Sequence, residues 1–330
     1  MSQYFLGVDA GGTKTHALVA DEDGEALGFG QAGAGNWQSV GFDGQREVLK
    51  DVTRQALKSA GLGMEDLCAA GFGLAGYDWP SQLEQHRESV LALGLPCPFE
   101  IVNDSVVGLL AGASRGWGVV LIAGTGNNCR GRDPQGREGR ISGEGMRFGE
   151  FGGGGELVMK AVHAVAHEWT QRGPRTLLTR SFIELSGARD LPDLIEGIDM
   201  GRYDPDAGWA LAVFQAAYSG DPAAREVIEW SGRELGESAC AVIRQLGMQE
   251  MEFEVVMAGS LFAGGDLYID PLRETIQKLA AGARLVRLEA PPVVGGVLLG
   301  MEQALGQEAY LCRERLIETT RSLIRPGGLA

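Results

Sequence analysis

Two short apolar runs in this chain end in the same way, on a small glycine-rich turn that carries hydroxyl residues. Tyr4 to Val8 stops at Asp9-Ala10-Gly11-Gly12-Thr13, and Trp117 to Ala123 stops at Gly124-Thr125-Gly126. A second apolar run, His16 to Ala20, follows the first turn and ends at Asp23-Gly24. Asn128 to Ile141 follows the second turn as paired strands around Asp133-Pro134-Gln135-Gly136. Glycine at a strand end permits φ > 0 and lets backbone N–H groups approach an anion. Each half of the chain therefore opens with strand, glycine turn and hairpin, and two such turns facing each other could clamp phosphates.

The segments between these openings alternate strands and helices. Leu27 to Phe29 makes a third strand, and Asp43 to Ala60 places Val48, Leu49, Val52, Ala56, Leu57 and Ala60 at helical spacing before Gly61. Leu67 to Leu74 reads as a buried strand, Ser81 to Leu93 as a helix, Phe99 to Val102 as a strand and Ser105 to Ala113 as a helix. In the second half, helical segments run from about Glu156 to Leu246. A strand Glu254 to Met257, a helix from Pro271, a strand Leu285 to Leu288 and a helix beginning near Gly295 follow. A length of 330 residues exceeds what one core usually holds. The expected fold class is α/β, with two domains of mixed sheet flanked by helices and a boundary near Gly116: residues 1–115 and 116–305. The halves share a layout but no detectable sequence repeat.

Charge and cysteine usage narrow the function classes. Lys and Arg number 29 against 44 Asp and Glu, a formal net charge of −15, which leaves no footprint for nucleic acid or anionic lipid. Nucleotide phosphates remain compatible, because backbone amides and helix N-termini hold them locally. Cys68, Cys97, Cys129, Cys240 and Cys312 are scattered and never form a CxxC pair, so they read as reduced, buried thiols. The N-terminus lacks a basic segment backed by a long apolar stretch, and no apolar run of about 18 residues occurs. The protein is expected in the cytoplasm, without membrane contact.

Asp9, where the first strand ends, suits a magnesium ion or its waters. Asp104 lies after the strand Glu100-Ile101-Val102-Asn103 and just before a helix, a placement that suits a general base aimed into a cleft. One carboxylate for metal and one for proton removal is the minimum set for in-line phosphoryl transfer; the bland alternatives are turn and cap aspartates. A third glycine turn, Ala258-Gly259-Ser260, follows another strand. GxxxxGK[ST] is absent, but Gly71-Phe72-Gly73-Leu74-Ala75-Gly76 matches GxGxxG, so a nicotinamide-dependent oxidoreductase is the rival reading. Its context is wrong, for Tyr77-Asp78-Trp79-Pro80 follows where a helix should begin. His163 and His167 stand at zinc-binding spacing with no third ligand in view and read as a solvated face. Arg130, Arg132, Arg137 and Arg140, around the hairpin, also read as solvated surface.

Taken in order, several stretches resemble the BadF/BadG/BcrA/BcrD-type ATPase family and the N-acetylglucosamine kinase group within it, members of the actin-like, hexokinase-like superfamily. They are Gly7 to Thr15, Gly35-Asn36-Trp37, Val102-Asn103-Asp104, Ile122 to Arg130, Met257 to Ser260 and Gly295-Gly296-Val297. The resemblance implies two ribonuclease-H-like, actin-like ATPase domains with mixed five-stranded sheets around an interdomain cleft. It implies ATP and Mg2+ between phosphate turns formed by Gly11, Gly12, Thr13 and Lys14 and by Gly124, Thr125 and Gly126. Gly259 and Ser260 would face adenosine. Asp104 would take the proton from a sugar's primary hydroxyl, with Asn36, Trp37, Asn127 and Asn128 lining the sugar site and Gly143, Gly145 and Glu150 continuing it. A C-terminal helix within about 306–330 would pack back on the first domain, and a homodimer is expected. Where the family usually shows Gly-Asp-Glu-Gly-Ser, this chain has Gly149-Glu150-Phe151-Gly152-Gly153. N-acetylglucosamine is thus the expected acceptor, with glucosamine, N-acetylmuramic acid or a sensor without transfer as alternatives. Family activators that drive electrons from an iron–sulfur cluster need close cysteines, and Cys129 has no near companion in sequence.

Overall fold

Strand β1 (Tyr4–Ala10) buries Phe5, Leu6, Val8 and Ala10 completely, on both of its faces, as only a strand covered from two sides can. It lies mid-sheet beside β2 (Thr15–Asp21), β3 (Ala26–Ala32), β4 (Leu67–Leu74) and β5 (Phe99–Asn103) in the computed structural model, which describes residues 2–324. The sheet order is β3–β2–β1–β4–β5, the first three strands antiparallel and β1, β4 and β5 parallel. The second half repeats this with β6 (Gly118–Ala123), β7 (Asn127–Arg132), β8 (Glu138–Arg140), β9 (Phe253–Ala258) and β10 (Ala283–Arg287). Its order, β10–β9–β6–β7–β8, is the same sequence of slots with the same strand senses. The halves are one topology used twice.

The connections differ. Helix α1 (Trp37–Ala60) joins β3 to β4 and starts six residues ahead of the apolar periodicity, because Asn36 accepts from Gln38 N and caps a short first turn. Gly41, at φ 70°, then breaks the helix before its regular part begins. Helix α2 is Leu83–Leu91, and α3 is Asp104–Gly112. Five helices separate β8 from β9: α4 (Gly154–Trp169), α5 (Leu177–Ser186), α6 (Leu191–Asp199), α7 (Ala210–Tyr218) and α8 (Pro222–Leu246). Helix α9 (Asp266–Leu279) begins five residues before Pro271, which sits near the N-terminal end, where a missing N–H removes a single helical bond. Helix α10 is Val293–Leu305 and α11 is Arg313–Ile324.

Two helices cross between the halves. Helix α10 follows the second sheet in sequence yet lies on β1 and β4 of the first, and this approach is glycine-dependent. A Cβ on Gly7 would collide with the backbone of Gly296 and Val297, one on Gly71 with Gly296 O, and one on Gly295 with Val107 O of α3. In return α3, which follows the first sheet, packs Leu109 and Ala113 against Val120 and Val256 of the second. The GxGxxG run is thereby accounted for: Gly71 admits α10, Gly73 admits the Val107 side chain, and Gly76 turns the chain at φ 81°. A 3-10 turn at Pro80–Gln82 follows instead of a phosphate-facing helix, which removes the oxidoreductase reading.

Helix α11 lies against β3, where Thr319 Oγ1 donates to Gly24 O (3.0 Å) and Arg315 pairs with Glu25 (3.1 Å). The last part of the expected C-terminal segment, 325–330, lies outside the described residues. Of the five free cysteines only Cys129 and Cys240 are buried; Cys68, Cys97 and Cys312 are partly exposed, since they sit at the edges of the packed layers and not within them. Among the described residues no helix is long and apolar enough to cross a membrane.

Candidate active site

The first half supplies two carboxylates and a braced segment. Asp9 stands one residue before the end of β1, opposite His16 on β2 and Gly73 on β4. The following turn is closed by Gly11 N donating to Lys14 O (3.0 Å), and Gly35 N donates to Gly11 O (3.0 Å), which ties the turn to the entry of α1. Gly12, Thr13 and Lys14 are exposed at its tip. Next to it, Trp37 Nε1 donates to Gly76 O (2.8 Å) and the Trp37 ring stacks on Phe42 at 4.7 Å. Gln45 donates to Gly35 O (2.9 Å) and meets His86 Nδ1 (3.0 Å), so Gly35 to Trp37 is held from below.

Asp104 is the first residue of α3, directly after Asn103, whose side chain caps the helix. Asn103 Oδ1 accepts from Ser105 N (3.0 Å) and from the Ser105 hydroxyl. Its amide nitrogen donates to Tyr77 O (3.1 Å) and Asp78 Oδ1 (3.3 Å). Burial pushes the Asp104 carboxyl up to about 6, with Asp78 adding to the rise and the Ser105 N–H and Arg130 opposing it. Burial pushes Asp9 up to about 7, helped by Asp104 and opposed by Lys14. The Asp104 charge thus reaches Asp9 near the end of β1.

The second half supplies a turn locked onto a helix. Gly124 N donates to Gly126 O (2.9 Å), while Gly154 N and Gly155 N of α4 donate to Gly124 O (2.8 Å) and Thr125 O (2.9 Å). Asn127 Nδ2 donates to Glu150 O (3.3 Å) and reaches Glu156 Oε2 (3.5 Å). Among the described residues, Asn127 Oδ1 and Asn128 Oδ1 are buried without a partner, and such orphaned acceptors are suited to ligand hydroxyls. The Glu150 carboxylate accepts from Ser142 N (2.6 Å), Ser142 Oγ (2.8 Å), Gly143 N (2.8 Å) and Glu144 N (3.2 Å). It is thus engaged in shaping the loop that carries Gly143 and Gly145. Phe151, beside it, packs on Trp230 at 5.3 Å.

Thr125 and Gly124 also begin a cleft of about 730 Å³ whose far wall is Ser260, Leu261 and Gly264 and whose side is α7 with Leu211, Phe214 and Tyr218. A largely apolar cleft of this size, ending in a turn of backbone amides, fits a nucleoside with its phosphates leaving at one end. Gly259, at φ 115°, lies so close to Ala123 that any Cβ would meet the Ala123 carbonyl.

Sequence reasoning misread three of the four hairpin arginines; Arg137 is exposed, as expected. Arg130 is 4% exposed and donates to Asp78 Oδ1 (3.1 Å); Arg132 pairs with Glu302 (2.8 Å), Arg137 with Asp133 (2.6 Å), and Arg140 donates to Asp78 O while lying over the Trp79 ring at 4.3 Å. Three of the four reach across to residues far away in the chain, which local spacing cannot reveal. Glu156 was also missed, although Gly153-x-x-Glu156 before an apolar run is a capping signal, and Glu156 does accept from Gly153 N (2.9 Å). The α7 wall carried no motif. His163 and His167 are exposed, and no group of three metal-binding side chains occurs among the described residues.

A duplicated α/β topology with a glycine turn at the end of each first strand, the second of them opening a nucleoside-sized cleft, defines a nucleotide-binding class. The profile of the BadF/BadG/BcrA/BcrD ATPase family matches residues 6–300, and the chain belongs to that family. It is 26% identical over 303 residues to the N-acetylmuramic acid/N-acetylglucosamine kinase of Clostridium acetobutylicum, covering 91% of this chain and 99% of that one. It is 26% identical over 316 residues to the N-acetyl-D-glucosamine kinase of Dictyostelium discoideum, covering 91% and 98%. The fold also superposes on the ROK hexokinase from Thermus thermophilus with a TM-score of 0.55 at 20% identity, covering 91% of this chain and 99% of that one.

Proposed function

We propose that this protein is an ATP-dependent kinase that phosphorylates the primary hydroxyl of an amino sugar, N-acetylglucosamine before glucosamine or N-acetylmuramic acid. The observation that carries the reading is the placement of Asp104: a carboxylate at the mouth of α3, between the two halves, whose affinity for a proton lies near neutrality. In this reading Asp104 accepts the proton of the sugar hydroxyl as that oxygen bonds to the γ-phosphorus. The bond from phosphorus to the β–γ bridging oxygen breaks, and ADP leaves. Asn36, Trp37, Asn127 and Asn128 orient the sugar, Gly143 and Gly145 form its wall, and Glu150 braces that wall. Gly11, Gly12, Thr13 and Lys14 meet the phosphates from one side, Gly124, Thr125 and Gly126 from the other, and Gly259 and Ser260 face the adenosine.

A carboxylate such as Asp9, raised in proton affinity by burial and further by Asp104, is a setting that a divalent cation relieves, and one carboxylate with phosphate oxygens and water is an ordinary magnesium shell. Asp9 would hold that Mg2+, which when bound neutralises charge on the β- and γ-phosphate oxygens. The use of ATP and five free thiols support a cytoplasmic location, and the reading includes a homodimer, checked by sedimentation velocity.

The test is ADP release by the purified protein with ATP and magnesium, against N-acetylglucosamine, glucosamine, N-acetylmuramic acid, glucose and no sugar. Stimulation by an amino sugar above the glucose and no-sugar rates is expected. ATP binding with no sugar-dependent turnover would overturn the kinase reading and leave a nucleotide sensor.

A further inference from the structure

The loop Gly76–Trp79 is held from both halves of the molecule. Trp37 Nε1 donates to Gly76 O (2.8 Å), and Asn103 Nδ2 donates to Tyr77 O (3.1 Å) and Asp78 Oδ1 (3.3 Å). From the second half, Arg130 Nη2 donates to the same two acceptors, Tyr77 O (3.3 Å) and Asp78 Oδ1 (3.1 Å). Arg140, its neighbour across β7 and β8, donates to Asp78 O and covers the Trp79 ring. Burying a guanidinium is costly unless its partners are well placed, and the accessible part of Arg130 is only 4%. The two shared acceptors lie one residue apart in a loop of the opposite half, so the contact has meaning only when the halves stand in this register.

We propose that Arg130 is a positioning residue for phosphoryl transfer: it grips Tyr77 and Asp78 from across the cleft, thereby fixing the Asn103 cap and the direction of the Asp104 carboxylate. The same strand carries Asn127 and Asn128, so the grip sets base and sugar ligands in register with one another. This inference rests on Asp104 being the base. The charged groups acting on the Asp104 carboxylate are Asp78 on the loop, which raises its proton affinity, and Arg130 on β7, which lowers it, so Arg130 brings a positive charge from the second half as well as the geometry.

The experiment compares single-turnover rates and steady-state constants of the full chain, with ATP and N-acetylglucosamine, or whichever panel sugar is turned over. The variants are Arg130→Met, Arg130→Lys, Asp78→Asn, Asp104→Asn and the double Arg130→Met/Asp104→Asn. Misaligning a reacting group by about 1 Å costs on the order of 100-fold. Arg130→Met is therefore expected to lower kcat by about 10- to 100-fold with KM for ATP changed by less than about twofold, and Arg130→Lys to recover part of the loss. The double variant is expected to fall no further than Asp104→Asn alone, because groups acting as a unit are not additive. If Arg130→Met melts before the assay temperature, Asp78→Asn, which keeps the shape and one acceptor oxygen, carries the same expectation. An inactive Asp104→Asn beside an Arg130→Met or Asp78→Asn variant with undiminished kcat overturns the positioning role, as does full additivity in the double variant. An active Asp104→Asn overturns the base assignment itself, a separate result.

Discussion

The two halves share one strand order but join their third strand to their fourth in different ways. In the first half a single helix, α1, makes the connection; it covers its own sheet with Leu49, Val52, Ala56 and Leu57 and presents Asn36 and Trp37 at its start. In the second half five helices, α4 to α8, fill the same slot, and α7 turns Leu211, Phe214 and Tyr218 toward the cleft. The glycine turns differ accordingly. The first closes on itself with its tip exposed, whereas the second rests on the N-terminus of α4. On the proposed function one topology serves two tasks: the plain connection leaves room for an acceptor beside Asp104, and the long one builds a wall for a nucleoside. In that reading the base belongs to the first half and the adenosine wall to the second, while both halves contribute a phosphate turn and residues that meet the sugar.

The sharpest way to break this division is Asp104→Asn. It is expected to lower kcat by about 1,000-fold, within the range of lost general-base catalysis, while affinity for a non-hydrolysable ATP analogue, read by calorimetry, stays within about twofold. A joint loss of both would mean that the halves do not divide the work. Next comes the crossing of helices that holds the halves together. Gly71→Val places a branched side chain against the Gly296 backbone and is expected to cost about 3 kcal/mol, seen as a fall in the thermal midpoint, because overpacking there has no flexible neighbour to displace. An unchanged midpoint would show that α10 is not held by this approach.

A smaller effect tests the nucleoside wall. Leu211 is 66% exposed at the edge of the cleft, and Leu211→Glu is expected to weaken ATP-analogue binding by about tenfold through lost apolar contact and repulsion of phosphate, with KM for the sugar unmoved. The mildest test is pH. A base acts when deprotonated, and Asp104 is pushed up to about 6 from 3.8, so kcat/KM is expected to hold above that value and decline as pH falls through it. At pH 5.5 the loss is about fourfold, whereas an unshifted carboxylate would show almost none. A flat profile down to pH 5 would remove the shift and the coupling to Asp78.

Much of the first half was legible because its signals are local. Leu67–Leu74 has the bounds read from its apolar run, and the strands ending at Ala10 and Asn103 fall where short apolar segments meet turn residues. Helix starts were less legible: α1 begins on the Asn36 cap ahead of its periodic part, and α9 begins before a proline that a sequence reader takes as the first residue. The ordered set of glycine turns pointed to a duplicated cleft. Arg130 was the clearest failure among the hairpin arginines, because it and Asp78 are 52 residues apart and their pairing exists only across the two halves.

By itself the sequence determined the kinds and order of the elements, the positions of the turns and the identity of the carboxylates, since these follow from periodicity, backbone freedom and side-chain chemistry over a few residues. Only the tertiary structure decided that α10 and α3 exchange sheets, that the GxGxxG glycines admit a helix and not a dinucleotide, and that α7 walls a cleft. It also decided that the buried Arg130 grips the loop beside Asp104. Each of these depends on which surfaces meet after the chain has folded, and close approach, desolvation and charge pairing act through space without leaving a local pattern along the chain.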